Sequence, residues 1–459
     1  MNDNRNKKNL HILFVGRSVE NFVYFKTIFM GLLSNGHVVH TLFDKKWSIN
    51  NASDHIEKFQ KENKNFSFGW IEYRSGFFKK ILIRTREILS YRRYLIDSSQ
   101  STYYKNRSKH YTPPLFQKLL KSKLFEKAVA SKAAYYLLHA IELLAPTEKK
   151  IIKSIQKYNL DVILVSPGNL RFPEDIEYIK AAKKLNIPSV IQTLSWDNLT
   201  TKGIFHETPD RLLVWNKTQV QEAIKFQRIP PELIRITGAQ QFDEWFSGLE
   251  PSKSKEAFCS EHNINPNSPL LVYLGSSFHM AGDETWLIKS LRKALDASSN
   301  EQLQNTHIIV RPHPSNAKIY KNIETEKVSV FPKEGSVSES PQARQLFYDM
   351  LYYSFATIGI NTTAQLDSII VDKPTMAYIN EKYDKTQRDT LHFQQIYSRK
   401  ALTGVSNSKE FLSFVGAILR GEDKNKQERK AIVENLVRPN GVGKTVGNIA
   451  AHEIEKLVT

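Results

Sequence analysis

Twice along this chain, short apolar runs that stop at a polar or glycine-bearing end alternate with stretches of helical periodicity. That alternation leaves few folds open. Leu10–Gly16 (LHILFVG) leads into SVENFVYFKTIFMGLLSNGH, which has helical spacing, a candidate N-cap at Ser18 and a stop at Asn35-Gly36. Val38–Asp44 (VVHTLFD) is the next strand. Runs that are apolar throughout suit a parallel sheet covered on both faces. A mostly helical stretch extends to about Lys150. The alternation then resumes with DVILVSPGN, PSVIQTLSWDN, DRLLVWN and IRITGAQQFD. Residues 247–267 are polar and contain Pro and Asn, and they read as a linker. A second series follows: PLLVYLGSS, HIIVRPHP, VSVFP, FATIGINTT and KPTMAYIN. The expected fold class is α/β, with two Rossmann-like doubly wound domains (1–246 and 268–420) facing a cleft. A basic helical insertion at about 70–150 interrupts the first, and a helical segment, 421–459, closes the chain. Ligands of such domains bind beyond the carboxyl ends of the strands.

At 459 residues the chain is too long for one core, and no window reaches the roughly 18 apolar residues of a membrane-spanning helix. The N-terminus, MNDNRNKKNL, is polar and unlike a signal peptide. A single cysteine, Cys259, rules out an internal disulfide. These features place the protein in the cytoplasm, with a peripheral position at the inner membrane face as the alternative. Net charge is +18, and between Ile71 and Ala130 fourteen Lys/Arg stand against four Asp/Glu. Three readings compete for this basic stretch: a solvated helical face, an anionic membrane surface, or nucleic acid. No nucleic-acid module is visible, so nucleic acid is not an expected partner.

In the second half three strand ends stand out. YLGSS (Tyr273–Ser277) offers a glycine for close backbone approach and the hydroxyls of Ser276 and Ser277. Arg311-Pro312-His313-Pro314 places a cation and a titratable donor before prolines, which hold both backbones extended. Asn361-Thr362-Thr363 precedes an amphipathic helix carrying Asp367, which can accept from a ribose or face solvent. Each has a plain alternative, a turn or an N-cap. Together they describe a pocket for a phosphorylated ligand. Neither a Walker-type loop nor GxGxxG is present, which disfavours triphosphate hydrolysis and dinucleotide redox chemistry. In the first half, VGRSVEN presents Arg17 and Glu20, and SWDNLTTKG presents Trp196, Asp197 and Asn198. A carboxylate here, Asp197 or Glu20, can serve as general base, and Trp196 can stack on a sugar. A helix cap is the alternative for Asp197-Asn198. Gln240 can line the cleft. No metal-ligand spacing is present, so no metal is implied.

The strand–RPHP element, then strand–GINTT–helix and DKPTMAYI, resemble GT-B-fold transferases over roughly Pro269 to Asn380. The second half is similar to bacterial CDP-glycerol glycerophosphotransferases and to His-Pro-motif sialyl- and Kdo-transferases, and the fold is shared with UDP-GlcNAc 2-epimerases. The resemblance implies that Arg311, His313, Thr362 and Thr363 bind the donor's phosphates. Two departures stand beside it: no acidic-acidic-glycine base motif is suitably placed, and Asn361-Thr362-Thr363 replaces the paired serines of the glycerophosphotransferases.

The expected function is glycosyl transfer from a nucleotide sugar, with Asn361 also at the donor site and His313 also catalytic. The expected acceptor is a glycan, free or lipid-linked, in bacterial cell-surface polysaccharide synthesis, bound by Arg17, Trp196, Asn198 and Gln240. The nucleotide sugar is a substrate, so no cofactor is expected. Alternatives are a CDP-polyol phosphotransferase, a nucleotide-sugar epimerase or hydrolase, and a basic scaffold for membrane or nucleic acid.

Overall fold

His11–Gly16 forms β1, buried on both faces from Ile12 onward, with Ile12 and Phe14 in one core and Leu13 and Val15 in the other. The computed structural model describes residues 9–458 except 49–53, 98, 100, 172–173 and 334–339. Strand β1 pairs in parallel with β2 (Val38–Phe43) and β4 (Val162–Ser166). With β3 (Phe66–Trp70), β5 (Ser189–Gln192), β6 (Arg211–Val214) and β7 (Ile234–Ile236) they form one sheet in the order β3-β2-β1-β4-β5-β6-β7. The chain therefore reverses direction across the sheet between β1 and β4, and ligand crevices form at such a switch point.

Helix α1 (Phe22–Ser34) buries Phe22, Phe25, Ile28, Phe29 and Leu32, the face its periodicity predicts. The Phe14 ring lies 4.8 and 5.0 Å from those of Phe25 and Phe29, and each such pair contributes roughly 0.5–1.5 kcal/mol beyond area burial. The helix ends at Asn35 and Gly36 (φ 85°), as expected. Its start differs: a short turn, Val19–Asn21, comes first, and the Ser18 hydroxyl accepts no helix amide but donates to Asn21 Oδ1 at 3.3 Å.

Between β3 and β4 lie α2 (Gly76–Ile96), α3 (Thr102–Tyr111), α4 (Pro114–Leu119), α5 (Lys123–Ala130), α6 (Lys132–Leu144) and α7 (Lys149–Gln156). Ser101, Ser122 and Ser131 accept amides at the starts of α3, α5 and α6. The basic character of this insertion is divided by residue type. Arg74, Arg86, Arg92 and Arg93 are buried, and Arg92 donates to the carbonyls of Val129, Ala130 and Ser131 at the end of α5. Arg86 forms a fork to Glu142 of α6 (2.9 and 2.6 Å) and a third bond to Glu177 (2.6 Å) of α8 (Glu174–Lys184). Lys180 bonds Glu142 at 2.9 Å and Arg74 pairs with Glu177 at 2.7 Å. This buried cluster ties the insertion to the sheet's covering helix. The planar guanidinium suits that forked geometry, and none of the insertion's own, strongly hydrated lysines is buried.

The second sheet runs β10 (Val328–Val330), β9 (His307–Arg311), β8 (Leu270–Leu274), β11 (Ala356–Gly359), β12 (Thr375–Tyr378) and β13 (Thr403–Val405), again all parallel. Its switch point lies between β8 and β11. Helices α9 (Lys255–Glu261), α10 (Thr285–Asp296), α11 (Pro341–Tyr353) and α12 (Ala364–Ile370) belong to this half. The architecture is α/β with two Rossmann-like doubly wound sheets.

The division of the chain departs from the expected one. One unit spans Met1–Asp243 and Leu436–Thr459, the other Glu244–Asn435. The segment read as a linker contains α9, whose Phe258 and Cys259 enter the second unit's core, so its polar residues are only the outer face of a short amphipathic helix. The C-terminal segment divides at 435/436. Its last helix, Val446–Val458, packs on α1, with Gly447 so close to Thr27 that a Cβ would lie 2.3 Å from the Thr27 carbonyl carbon. Asp243 joins this return: it pairs with Arg438 (2.5 Å) and accepts from Thr27 and from the amides of Val446 and Gly447.

Candidate functional site

In the second unit the three singled-out motifs follow adjacent strands. Leu274 pairs with Arg311 on one side and with Gly359 on the other, so the three strand ends are level at the carboxyl edge. Arg311 ends β9 with its guanidinium 3.9 Å from the centroid of the Phe347 ring. His313 is extended (φ −69°, ψ 137°), as a pre-proline residue must be, and Pro314 opens a 3-10 turn. The His313 Nδ1 accepts the Ser315 amide at 3.1 Å, which leaves Nε2 as the proton-bearing nitrogen. Burial and the neighbouring Arg311 charge push its pKa down to about 4. His313 is therefore a neutral donor at physiological pH, and Arg311 supplies the charge.

Gly275 is required by close approach. A Cβ there would meet the Tyr320 hydroxyl at 2.9 Å and the Arg311 carbonyl and His313 amide at 3.0 Å. Gly275→Ala is expected to cost roughly 1–3 kcal/mol and to weaken nucleotide binding, because the methyl can be accommodated only by moving the Arg311–His313 backbone. Urea denaturation together with nucleotide titration checks both effects.

The hydroxyls sort into two groups. Ser276 is fully buried. Its amide and hydroxyl donate to Glu284 at 2.8 and 3.2 Å, where the Tyr273 and Tyr320 hydroxyls also donate. Ser276 therefore shapes the loop and does not contact a ligand through its side chain. Asn361 is likewise buried, donating to the Thr386 carbonyl at 2.7 Å. Both leave the set of phosphate ligands, because each is satisfied by a partner distant in sequence. Ser277, Thr362 and Thr363 are half-buried, and none of their hydroxyls caps its helix. Asp367 lies beside Arg311 and accepts the Trp245 indole N–H. Burial raises its carboxyl to about 6, against the opposing pull of Arg311 and Arg344.

In the first unit, Arg17 follows β1 and lines a shallow, open recess with Asp44, Trp47, Glu174 and Asp175. Its guanidinium stacks 3.7 Å from the Trp47 centroid. Asp44 Oδ1 accepts from the Tyr73 hydroxyl at 2.5 Å and the Lys46 amide at 2.9 Å. Asp175 accepts the amides of Gly168 and Ile176 at 2.8 and 3.0 Å, and burial raises its carboxyl to about 6.

The other first-unit candidates are structural. Trp196 is buried and has no face to offer a sugar. Asn198 is buried, donating to Asn169 at 2.5 Å and accepting the Leu194 amide at 3.1 Å. Gln240 is buried, bonded to Gln192 and to the Thr193 carbonyl, both at 3.0 Å. Asp197 accepts from the hydroxyls of Ser195 and Thr201 and pairs with Lys202 at 3.1 Å. A carboxylate so occupied holds its own turn and is not poised to take a proton. Glu20 sits in the Val19–Asn21 turn and does not line the Arg17 recess. Asp44, Trp47 and Asp175 went unrecognised. The only available signal was the acidic end of VVHTLFD.

No protein-family model matches the chain, and no curated protein matches it by sequence. Solved structures match it in fold. The UDP-GlcNAc 2-epimerase from Methanocaldococcus jannaschii is 13% identical with a TM-score of 0.55, over 97% of this chain and 99% of that one. The S. aureus MnaA–UDP structure is 9% identical with a TM-score of 0.53, over 98% and 97%. Arabidopsis thaliana UGT89C1, complexed with UDP-L-rhamnose, is 12% identical with a TM-score of 0.54, over 99% and 100%. At these identities the likeness is one of fold, and the fold is GT-B-like.

Proposed function

We propose that the protein is a nucleotide-sugar enzyme and, within that class, a glycosyltransferase. The observation that carries this reading is the level row of strand ends at the second sheet's switch point. There Arg311, the neutral His313 and the hydroxyls of Ser277, Thr362 and Thr363 follow adjacent strands at one carboxyl edge, the place where a diphosphate would bind in such a sheet. Arg311 would balance the charge that develops on the departing nucleotide, and His313 Nε2–H would donate to it. The fold's likeness to a glycosyltransferase complexed with UDP-L-rhamnose and to UDP-GlcNAc 2-epimerases supports a nucleotide-sugar ligand. Arg17, stacked on Trp47, would contact the acceptor glycan.

The test is incubation with a panel of nucleotide sugars and CDP-glycerol, with and without glycan acceptors, and product masses as the readout. A mass gain of one sugar on an acceptor is the expected result. Transfer of a glycerol phosphate would replace this reading with polyol-phosphate transfer. A second reading, epimerisation, is favoured by the carboxylates Asp44, Glu174 and Asp175 gathered around Arg17, which suit proton abstraction from a bound sugar. Turnover of a nucleotide sugar with no acceptor present would select it.

A further inference from the structure

The insertion between β3 and β4 carries an apolar surface that the protein leaves uncovered. On α6, Tyr136, Leu137 and Leu144 lie at 67, 69 and 82% exposure, at helical spacing along one face. That face cannot turn inward, because Glu142 on the opposite side is fixed in the buried bonds to Arg86 and Lys180. The preceding helices add Leu115 and Leu124 at 70 and 78% exposure. Lysines stand between these side chains. Lys118, Lys121, Lys123, Lys127 and Lys132 are all exposed, and none has a carboxylate within ion-pair distance among the described residues. On α5, Lys123 and Leu124 begin two neighbouring i,i+4 rows, and on α6 Lys132 lies one turn before Tyr136.

We propose that this insertion docks the protein on an anionic lipid bilayer, with the leucines at the headgroup–acyl boundary and the lysines among the lipid phosphates. Apolar side chains interleaved with unpaired cations match that surface on both counts. A second copy of this chain matches it poorly, since a two-fold interface here would bring the same lysines face to face. No helix among the described residues is long and apolar enough to cross a membrane, so the contact is with the interface. The proposal depends on neither the nucleotide site nor the reaction.

The test is flotation of the full chain with vesicles of phosphatidylcholine alone and of phosphatidylcholine mixed with phosphatidylglycerol. Binding is expected only to the anionic vesicles, and it should weaken as salt shortens the screening length from ~10 Å at 0.1 M to ~3 Å at 1 M. Leu137→Ser/Leu144→Ser should lower binding at least about tenfold. Lys123→Ala and Lys127→Ala should each lower it about fivefold. All four positions are exposed, so thermal midpoints should be unchanged. Absence of vesicle binding, or equal binding by both variant sets, would overturn the proposal. So would a concentration-dependent dimer that the leucine variant dissolves, because the face would then belong to a second copy.

Discussion

Arg311→Ala lowers nucleotide-sugar affinity and turnover while leaving the protein folded. Removing a preorganised charge from a developing anion costs roughly 2.7–4 kcal/mol, or about two to three powers of ten in turnover. The structural cost is smaller: the contact with the Phe347 face is of the kind worth roughly 0.5–1 kcal/mol when partly solvated. Arg311→Lys restores little, because a single ammonium cannot reproduce the fork that meets two phosphate oxygens. Asp367 acts in the opposite sense. Its carboxyl, raised to about 6 by burial, is ionised at pH 8 and then competes with the phosphate for Arg311. Nucleotide-sugar affinity should therefore rise as pH falls through about 6, and Asp367→Asn should tighten binding at pH 8 and flatten that dependence. Calorimetric titration across this range checks both. Unchanged affinity in Arg311→Ala would remove the phosphate site from the second unit.

Glu142→Ala produces the largest loss of stability. Alanine leaves Arg86 and Lys180 buried with their shared partner gone, and breaking one side of such a pair costs roughly 3–5 kcal/mol. The double replacement Arg86→Met/Glu142→Leu is expected to cost less than either single change, because it removes the buried charge together with its partner. The same cluster sets an acid limit. Burial alone would raise the Glu142 carboxyl, but the bonds and charges of Arg86 and Lys180 override it and bring it down to about 2, well below the usual carboxylate range. A depressed carboxyl stabilises the fold above its unfolded value, and that contribution is lost as pH falls from about 4.5 towards 2. Urea midpoints at pH 7 and in this acid window, compared with those of Glu142→Ala, measure it: the variant's deficit should shrink on acidification.

The sheets were legible because a parallel strand covered on both faces must be apolar throughout, as HILFVG, VILVS and LLVYL are. The extended backbone of Arg311 and His313 at a strand end was legible because proline fixes backbone locally, with no distant partner needed. The first-unit site was largely illegible. Trp196, Asn198 and Gln240 follow strands just as ligand-binding residues do. Yet they are absorbed by the core or by partners such as Asn169 and Gln192, and local spacing does not separate a polar group aimed at a ligand from one aimed at a neighbouring loop. Asp44 and Asp175 converge on Arg17 only after β2 and α8 are in place. The expected boundary near 246 missed the return of the chain because its evidence is the pairing of Asp243 with Arg438, which no local pattern carries.

That return imposes an order on biosynthesis. Glu244–Asn435 is one uninterrupted stretch and can close its sheet soon after it leaves the ribosome. The unit that begins first must wait, since Asp243 has no cation until Arg438 has been made and α1 no partner for its Gly31 face until the helix Val446–Val458 has followed. At ~5–20 residues per second that interval is roughly 10–40 s. Throughout it, the seven-stranded half is a nascent chain with an open apolar flank. The half synthesised second is therefore expected to be the first to resist protease on stalled ribosomes.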